Sequence, residues 1–269
     1  MSTFDDLSFN SRIARAVADY VHGFLGDPHA YRGQQLRGGG PIAEFEQILA
    51  ETCGFPYCLA TCNATTALLV IALAADLRDA EIIGPPNCWP GSIGPFEFAG
   101  GRLVRAKPAS GGTLCPESVE RLITKETRAV LAVDWEHSRH DAPRVRQICD
   151  ANGLLYIEDS ALIPGVTGTR DVRSVADVQV LSFGPGKPMT LGEGGAVLTR
   201  SRQIYENAVL RSQHPERWAS EKLASEPGPM CLNARIHPLA AFVGIHLLRT
   251  SRKFPAMSPT TGMQKRGGP

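Results

Sequence analysis

The chain has no apolar run long enough to cross a bilayer, because its longest, Ala67 to Ala75, falls far short of a membrane span. Its N-terminus carries Asp5 and Asp6 and lacks the basic and apolar stretches of a signal peptide, so a cytoplasmic location is expected. An excess of one charge is lacking too. With a net charge of +1 and dispersed basic residues, neither a nucleic acid nor a membrane surface is expected as a partner. The seven cysteines show no CxxC spacing. Cys53, Cys58 and Cys62 come nearest to a cluster, but no nearby histidine or second pair completes a metal shell. They are read as reduced packing residues, and no metal site is expected. Neither GxGxxG nor GxxxxGK[ST] follows an apolar strand, which argues against a nucleotide-binding doubly wound protein. No internal repeat is present.

What is present is the composition of an ordinary globular protein: 269 residues, 43% apolar and 20% charged, enough for a large core. Short apolar runs alternate with helical patterns. The runs predict strands at Tyr57–Thr61, Glu81–Gly84, Arg102–Arg105, Ala129–Asp134, Leu154–Asp159, Val178–Phe183 and Ala196–Thr199. Helices are expected at Ile13–Leu25, Pro41–Cys53, Thr65–Leu77, Pro116–Thr124, Ala142–Asn152, Gln203–Gln213 and Ile236–Leu248. A Gly-rich crossing joins the first two, and a polar break containing proline and glycine separates the last two. The alternation predicts an α/β fold, a mostly parallel sheet flanked by helices. Residues 1–40 read as an N-terminal helix and arm, 41–213 as a large α/β domain and 214–250 as the start of a helical region. Residues 251–269, rich in Ser, Thr, Pro, Gly and basic side chains, read as a disordered tail.

The most informative residue is Lys187, in Ser182-Phe183-Gly184-Pro185-Gly186-Lys187, directly after an apolar strand. An amine set among glycines and prolines is not there to fill a core. Upstream, another apolar run ends in Glu158-Asp159. A lysine and an acid delivered by strand ends suit a pyridoxal phosphate (PLP) site, the lysine carrying the cofactor as a Schiff base and Asp159 keeping the pyridine nitrogen protonated. Glu158 should face away, since neighbouring strand residues point to opposite sides. Asn63-Ala64-Thr65-Thr66 opens a helix after a strand, and its free N–H groups suit a phosphate; an ordinary N-cap explains the same residues. Trp89, in a Pro-rich loop after a strand, offers a flat face for an aromatic ring or simply packs. Asp134 either caps its strand end or reaches the ring region. His137 and His140 read as solvated loop residues, and His214, His237 and His246 as surface or packing histidines.

Together, Glu158-Asp159, Ser182-Phe183 with Lys187, Gly192-Glu193-Gly194-Gly195 and Asn233-Ala234-Arg235 resemble the DegT/DnrJ/StrS family of PLP-dependent sugar aminotransferases, over about residues 36–250. The resemblance implies a fold-type-I PLP architecture and a homodimer with sites near the subunit interface. By position, Lys187 matches the Schiff-base lysine and Asp159 the ring-nitrogen acid. Ala64, Thr65 and Ser182 match the phosphate cradle, Trp89 the stacking aromatic, and Asn233 a residue reaching the neighbouring subunit's phosphate. The implied reaction moves an amino group from glutamate or glutamine to a keto-sugar or cyclitol. A related sugar dehydratase is disfavoured, because those relatives lack the lysine.

Several positions depart from the family pattern. Asn63-Ala64-Thr65 stands where Ser-Gly-Thr is common, Leu162 where a Gln or His usually follows the acid, and Glu136-His137-Ser138 where a glycine is usual. Family members also commonly continue well past the 233–248 region into a small C-terminal domain. The alternative reading is therefore a shortened, catalytically impaired homologue acting as a PLP-binding or accessory subunit.

Overall fold

The computed structural model describes residues 7–27, 29, 34–135, 138–162, 173–223 and 232–250. Its centre is a seven-stranded sheet made of β1 (Tyr57–Thr61), β2 (Glu81–Gly84), β3 (Arg102–Arg105), β4 (Thr127–Val133), β5 (Leu155–Asp159), β6 (Val178–Ser182) and β7 (Gly195–Thr199). The spatial order is β1-β7-β6-β5-β4-β2-β3. Strands β3, β2, β4, β5 and β6 run parallel, while β7 is antiparallel to both β6 and β1. Two reversals cancel, so β1 points the same way as β6. Six strands therefore present their carboxyl ends along one edge, where ligands collect in such sheets.

Helices cover both faces. They are α1 (Leu7–Gly26), α2 (Pro41–Cys53), α3 (Ala64–Ala74), α4 (Pro90–Phe98), α5 (Pro116–Leu122), α6 (Ala142–Asn152), α7 (Arg202–Ser212), α8 (Pro215–Ser220) and α9 (Pro238–Thr250). One face of the sheet, including Leu131, Ile157, Val180 and Val197, packs against Leu68 and Ile71 of α3 and Phe96 of α4. On the other face, Leu181 and Leu198 meet Phe45 and Leu49 of α2 and Ile245 of α9. Val130 and Tyr156 meet Ile148 of α6 on that same face. Strands buried on two sides must be apolar at successive residues, as β4 and β7 are. Each such Leu, Ile or Phe contributes roughly 1.5–3 kcal/mol by leaving water.

Local signals set the helix ends. Asn63 caps α3 by accepting the Thr66 N–H at 2.7 Å, and Asp141 caps α6 by accepting that of Arg144 at 3.1 Å. Gly54 and Gly153 close α2 and α6 in the left-handed conformation. The strand expectations hold, with β4 starting two residues earlier than Ala129. Helix α4 was not expected, since the sequence predicts no helix between β2 and β3, where Trp89 reads as part of a Pro-rich loop. Pro90 occupies the first turn, where a missing N–H costs nothing. The polar break after α7 likewise contains the short helix α8, capped by His214. Glu136, His137 and the tail 251–269 lie outside the described residues.

Candidate active site

A cavity of about 820 Å³ opens at the carboxyl edge of the sheet. Of the seven residues singled out in the sequence, it gathers Ala64, Thr65, Trp89, Asp159, Ser182 and Lys187. Each arrives from a different piece of chain. The turn after β1 leads into α3 with Ala64 and Thr65, the turn after β2 carries Trp89, and β5 ends in Asp159. Ser182 closes β6, and Lys187 lies in the loop between β6 and β7. Asn233 is not among the lining residues. It is exposed, though its neighbours are fastened: the Cys62 N–H donates to the Ala234 carbonyl at 2.8 Å, and Arg235 bridges Thr61.

The lysine loop turns through Gly186, whose φ of 75° lies in the left-handed region that glycine adopts freely. A second glycine matters by proximity. A Cβ on Gly195 would lie 2.4 Å from the Asn63 carbonyl carbon and 2.5 Å from the Ala64 nitrogen. Gly195 thus lets the first turn of α3 rest directly on β7. Gly91 has the same use at the opposite wall, where a Cβ would meet Thr65 Oγ1 at 2.7 Å and the Trp89 ring at 2.9 Å.

Asp159 is buried, with 3% of its surface exposed. The Ser92 hydroxyl donates to its Oδ2 at 2.6 Å, and the Ala161 N–H donates to Oδ1 at 3.0 Å. Burial pushes its carboxyl above the usual range, against the opposing pull of Ser92, Ala161 and the Lys187 charge. The two donors leave further lone pairs for a partner in the cavity. Ser92 escaped the sequence reading because it sits in the unexpected helix α4. Trp89 is 72% exposed, so it is neither a core nor a packing tryptophan; it forms a wall of the cavity. Glu158 does face away, binding Ser160 and Ser174 on the far side of β5.

Two expectations need correction or completion. His140 is not solvated: it is buried at 6% exposure, with Nδ1 2.5 Å from Asp134 Oδ1 and Nε2 against the Tyr156 hydroxyl. Asp134 lies one residue beyond the end of β4 and lines the cavity. Leu162 lines the cavity too, an apolar side chain beside the acid.

The donor set fits PLP. The volume lies within the range of small-ligand sites. A helix N-terminus with Thr65 and Ser182 beside it suits a phosphate, and Trp89, Val133 and Ala161 offer apolar walls for a ring. A buried acid with spare lone pairs and an amine complete the set. This sheet, with its lysine loop between β6 and β7, is the large domain of a fold-type-I PLP-dependent transferase. The chain belongs to the DegT/DnrJ/EryC1/StrS aminotransferase family, which matches residues 28–257. PLP is the cofactor of that family.

Among curated relatives, the UDP-4-amino-4,6-dideoxy-N-acetyl-beta-L-altrosamine transaminase of Helicobacter pylori is 29% identical over 187 residues, covering 67% of this chain and 49% of that protein. The L-glutamine:2-deoxy-scyllo-inosose aminotransferase of Streptomyces fradiae is 31% identical over 165 residues, covering 60% of this chain and 38% of that protein. Among solved structures, DesI in the presence of its TDP-sugar product superposes with a TM-score of 0.71 at 28% identity, over 87% of this chain and 58% of that one. The chain thus spans about half the length of the curated relatives it matches.

Proposed function

We propose that this chain binds PLP through Lys187 and transfers an amino group from glutamate or glutamine to a ketone on a sugar or cyclitol. The observation that carries the reading is the meeting of Lys187 and the buried Asp159 in one cavity, with the N-terminus of α3 beside them. The names of the relatives, a nucleotide-sugar transaminase and a glutamine-dependent cyclitol aminotransferase, support the class of donor and acceptor.

Bound PLP would supply an aldehyde carbon that condenses with amines and a protonated ring that withdraws electrons. The chain's own residues do the rest. The N–H groups of the first turn of α3, with the Thr65 and Ser182 hydroxyls, hold the phosphate. Trp89 lays its face against the ring. Asp159 would accept a hydrogen bond from the protonated ring nitrogen, its negative charge keeping the proton on the ring. Lys187 Nζ, freed when the donor amine takes its place, would take the proton from the α-carbon of the donor and deliver it to the cofactor. Leu162 and Val133 keep water from that side of the cavity. Asn233, exposed on its own chain, reaches the phosphate bound by a second copy, which makes the working unit a homodimer.

Borohydride reduction of the protein mixed with PLP should leave a pyridoxyl adduct on the peptide bearing Lys187, and none in Lys187→Ala. An adduct on another lysine, or none, would overturn the assignment. Release of 2-oxoglutarate from glutamate, dependent on a keto-sugar, tests the transfer. A loaded protein that never releases it would favour the accessory-subunit reading.

A further inference from the structure

Behind the candidate site lies a buried polar chain that the proposed reaction does not use. Asp134, one residue beyond the end of β4, is 1% exposed. Its Oδ1 accepts from the His140 backbone N–H at 3.0 Å and from the His140 ring at Nδ1, 2.5 Å away. Its Oδ2 accepts from Arg139 Nε at 3.1 Å. The other ring nitrogen of His140 meets the Tyr156 hydroxyl of β5. Burial keeps that phenol protonated far above neutral pH, so it remains a hydrogen-bond donor.

On a neutral imidazole, a phenol that donates to Nε2 leaves the ring proton on Nδ1, and Nδ1–H then donates to Asp134. A carboxylate that accepts from a ring N–H, a backbone N–H and a guanidinium is held both ionised and oriented. The donors from His140 and Arg139 hold the Asp134 carboxyl below its usual range against the opposing effect of burial.

Asp134 also borders two cavities. One is the candidate site, which it lines beside Asp159; the other is a small polar space of about 140 Å³ lined by Arg139, His140, Glu158 and Arg173. The two acids are tied through the backbone, as the Asp134 N–H donates to the Asp159 carbonyl at 3.2 Å. A fixed negative charge next to Asp159 makes any proton held between Asp159 and a ligand harder to remove.

We propose that His140 is a positioning residue: it locks Asp134 as a second carboxylate behind Asp159, the acid that would meet the ring nitrogen of PLP. The inference rests on the PLP reading and adds His140 to it, joined to the site through Asp134. The charged and titratable groups facing His140 are Asp134, Arg139 and Tyr156. Glu158 and Arg173 lie across the small cavity, and the Arg146 guanidinium of α6 sits 5.6 Å over the Tyr156 ring.

The test follows the ¹⁵N chemical shift of ring-labelled PLP bound to the protein, as a function of pH. In Asp134→Asn the ring nitrogen should lose its proton about one pH unit lower than in the parent, a tenfold weaker hold typical of removing one nearby charge. His140→Ala, which leaves the Asp134 carboxylate free to turn toward Arg139, should shift the midpoint in the same direction. His140→Asn restores an N–H near the place of Nδ1 and should recover most of the shift. A midpoint unchanged in Asp134→Asn overturns the inference, as does a midpoint equal in His140→Ala and His140→Asn. Parent protein that takes up no PLP overturns the cofactor reading itself and this inference with it, whereas loaded protein with unresponsive variants overturns the carboxylate pair alone.

Discussion

At the scale of single residues, Asp159 embodies a conflict between folding and chemistry. Burial raises its pKa above that of an exposed aspartate. A carboxyl so shifted contributes its full stability below the unfolded value, and that contribution is lost as the pH rises through the folded value. At neutral pH the ionised side chain therefore burdens the cofactor-free fold. Asparagine carries no charge at any pH; its Oδ1 can still accept from the Ala161 N–H, and the Ser92 hydroxyl can turn to accept from its Nδ2. Cofactor-free Asp159→Asn is expected to melt higher than the parent near pH 8, with the gap closing toward pH 4 and below, while its PLP affinity falls. Thermal denaturation across that range checks it, and a variant that melts lower at pH 8 contradicts it. Such trade-offs between stability and activity are common where a site keeps an uncomfortable group.

At the scale of elements, the buried ion pair between α2 and α8 carries the largest expected effect on stability. Glu46 accepts from Arg217 at 3.1 and 2.8 Å and from the Ala60 N–H of β1 at 2.8 Å. Arg217 is 2% exposed and also meets Glu221 at 2.6 Å. Glu46→Ala would leave a guanidinium buried without its main partner, at a cost of about 3–5 kcal/mol. Urea unfolding should show that loss, and Glu46→Met with Arg217→Met should recover much of it. The same scale explains what the sequence could disclose. Strands β1 and β2 fall where their apolar runs placed them, because a largely buried strand can hardly be anything but apolar, whereas the edge strand β3 was legible only from Leu103-Val104 between two exposed arginines. Lys187, Asp159, Thr65 and Trp89 were legible because strand-end position and residue type coincide. Helix α4 was not legible, since its Gly91 serves a close approach to Thr65 and Trp89 that only the folded neighbours reveal. His140 was illegible for a similar reason. Nothing in its hydrophilic surroundings announces that Tyr156, sixteen residues on, will close over its ring.

For the whole molecule, the sheet brings the ends of β1, β2, β4, β5 and β6 to one cavity, yet Asn233 stands outside it. Its segment is pinned to the end of β1, so its exposure reflects a fixed position rather than a loose loop. If Asn233 serves a second copy, Lys187→Ala chains and Asn233→Ala chains should complement each other. A mixed dimer would contain one cavity with both residues intact, and PLP uptake should reappear on mixing. Unchanged uptake, measured by absorbance after gel filtration, would show that Asn233 does not act across subunits. Among the described residues no helix is long and apolar enough to cross a membrane.

Ser182 and Gly195 sit opposite each other across the β6–β7 ladder, so the segment bearing Lys187 departs and returns at adjoining points. Its contour length is thus decoupled from strand alignment. Inserting or deleting a residue within 185–192 would extend or retract the amine's reach while every rung beneath it stays paired, which makes this tether a natural dial for tuning where the nitrogen arrives.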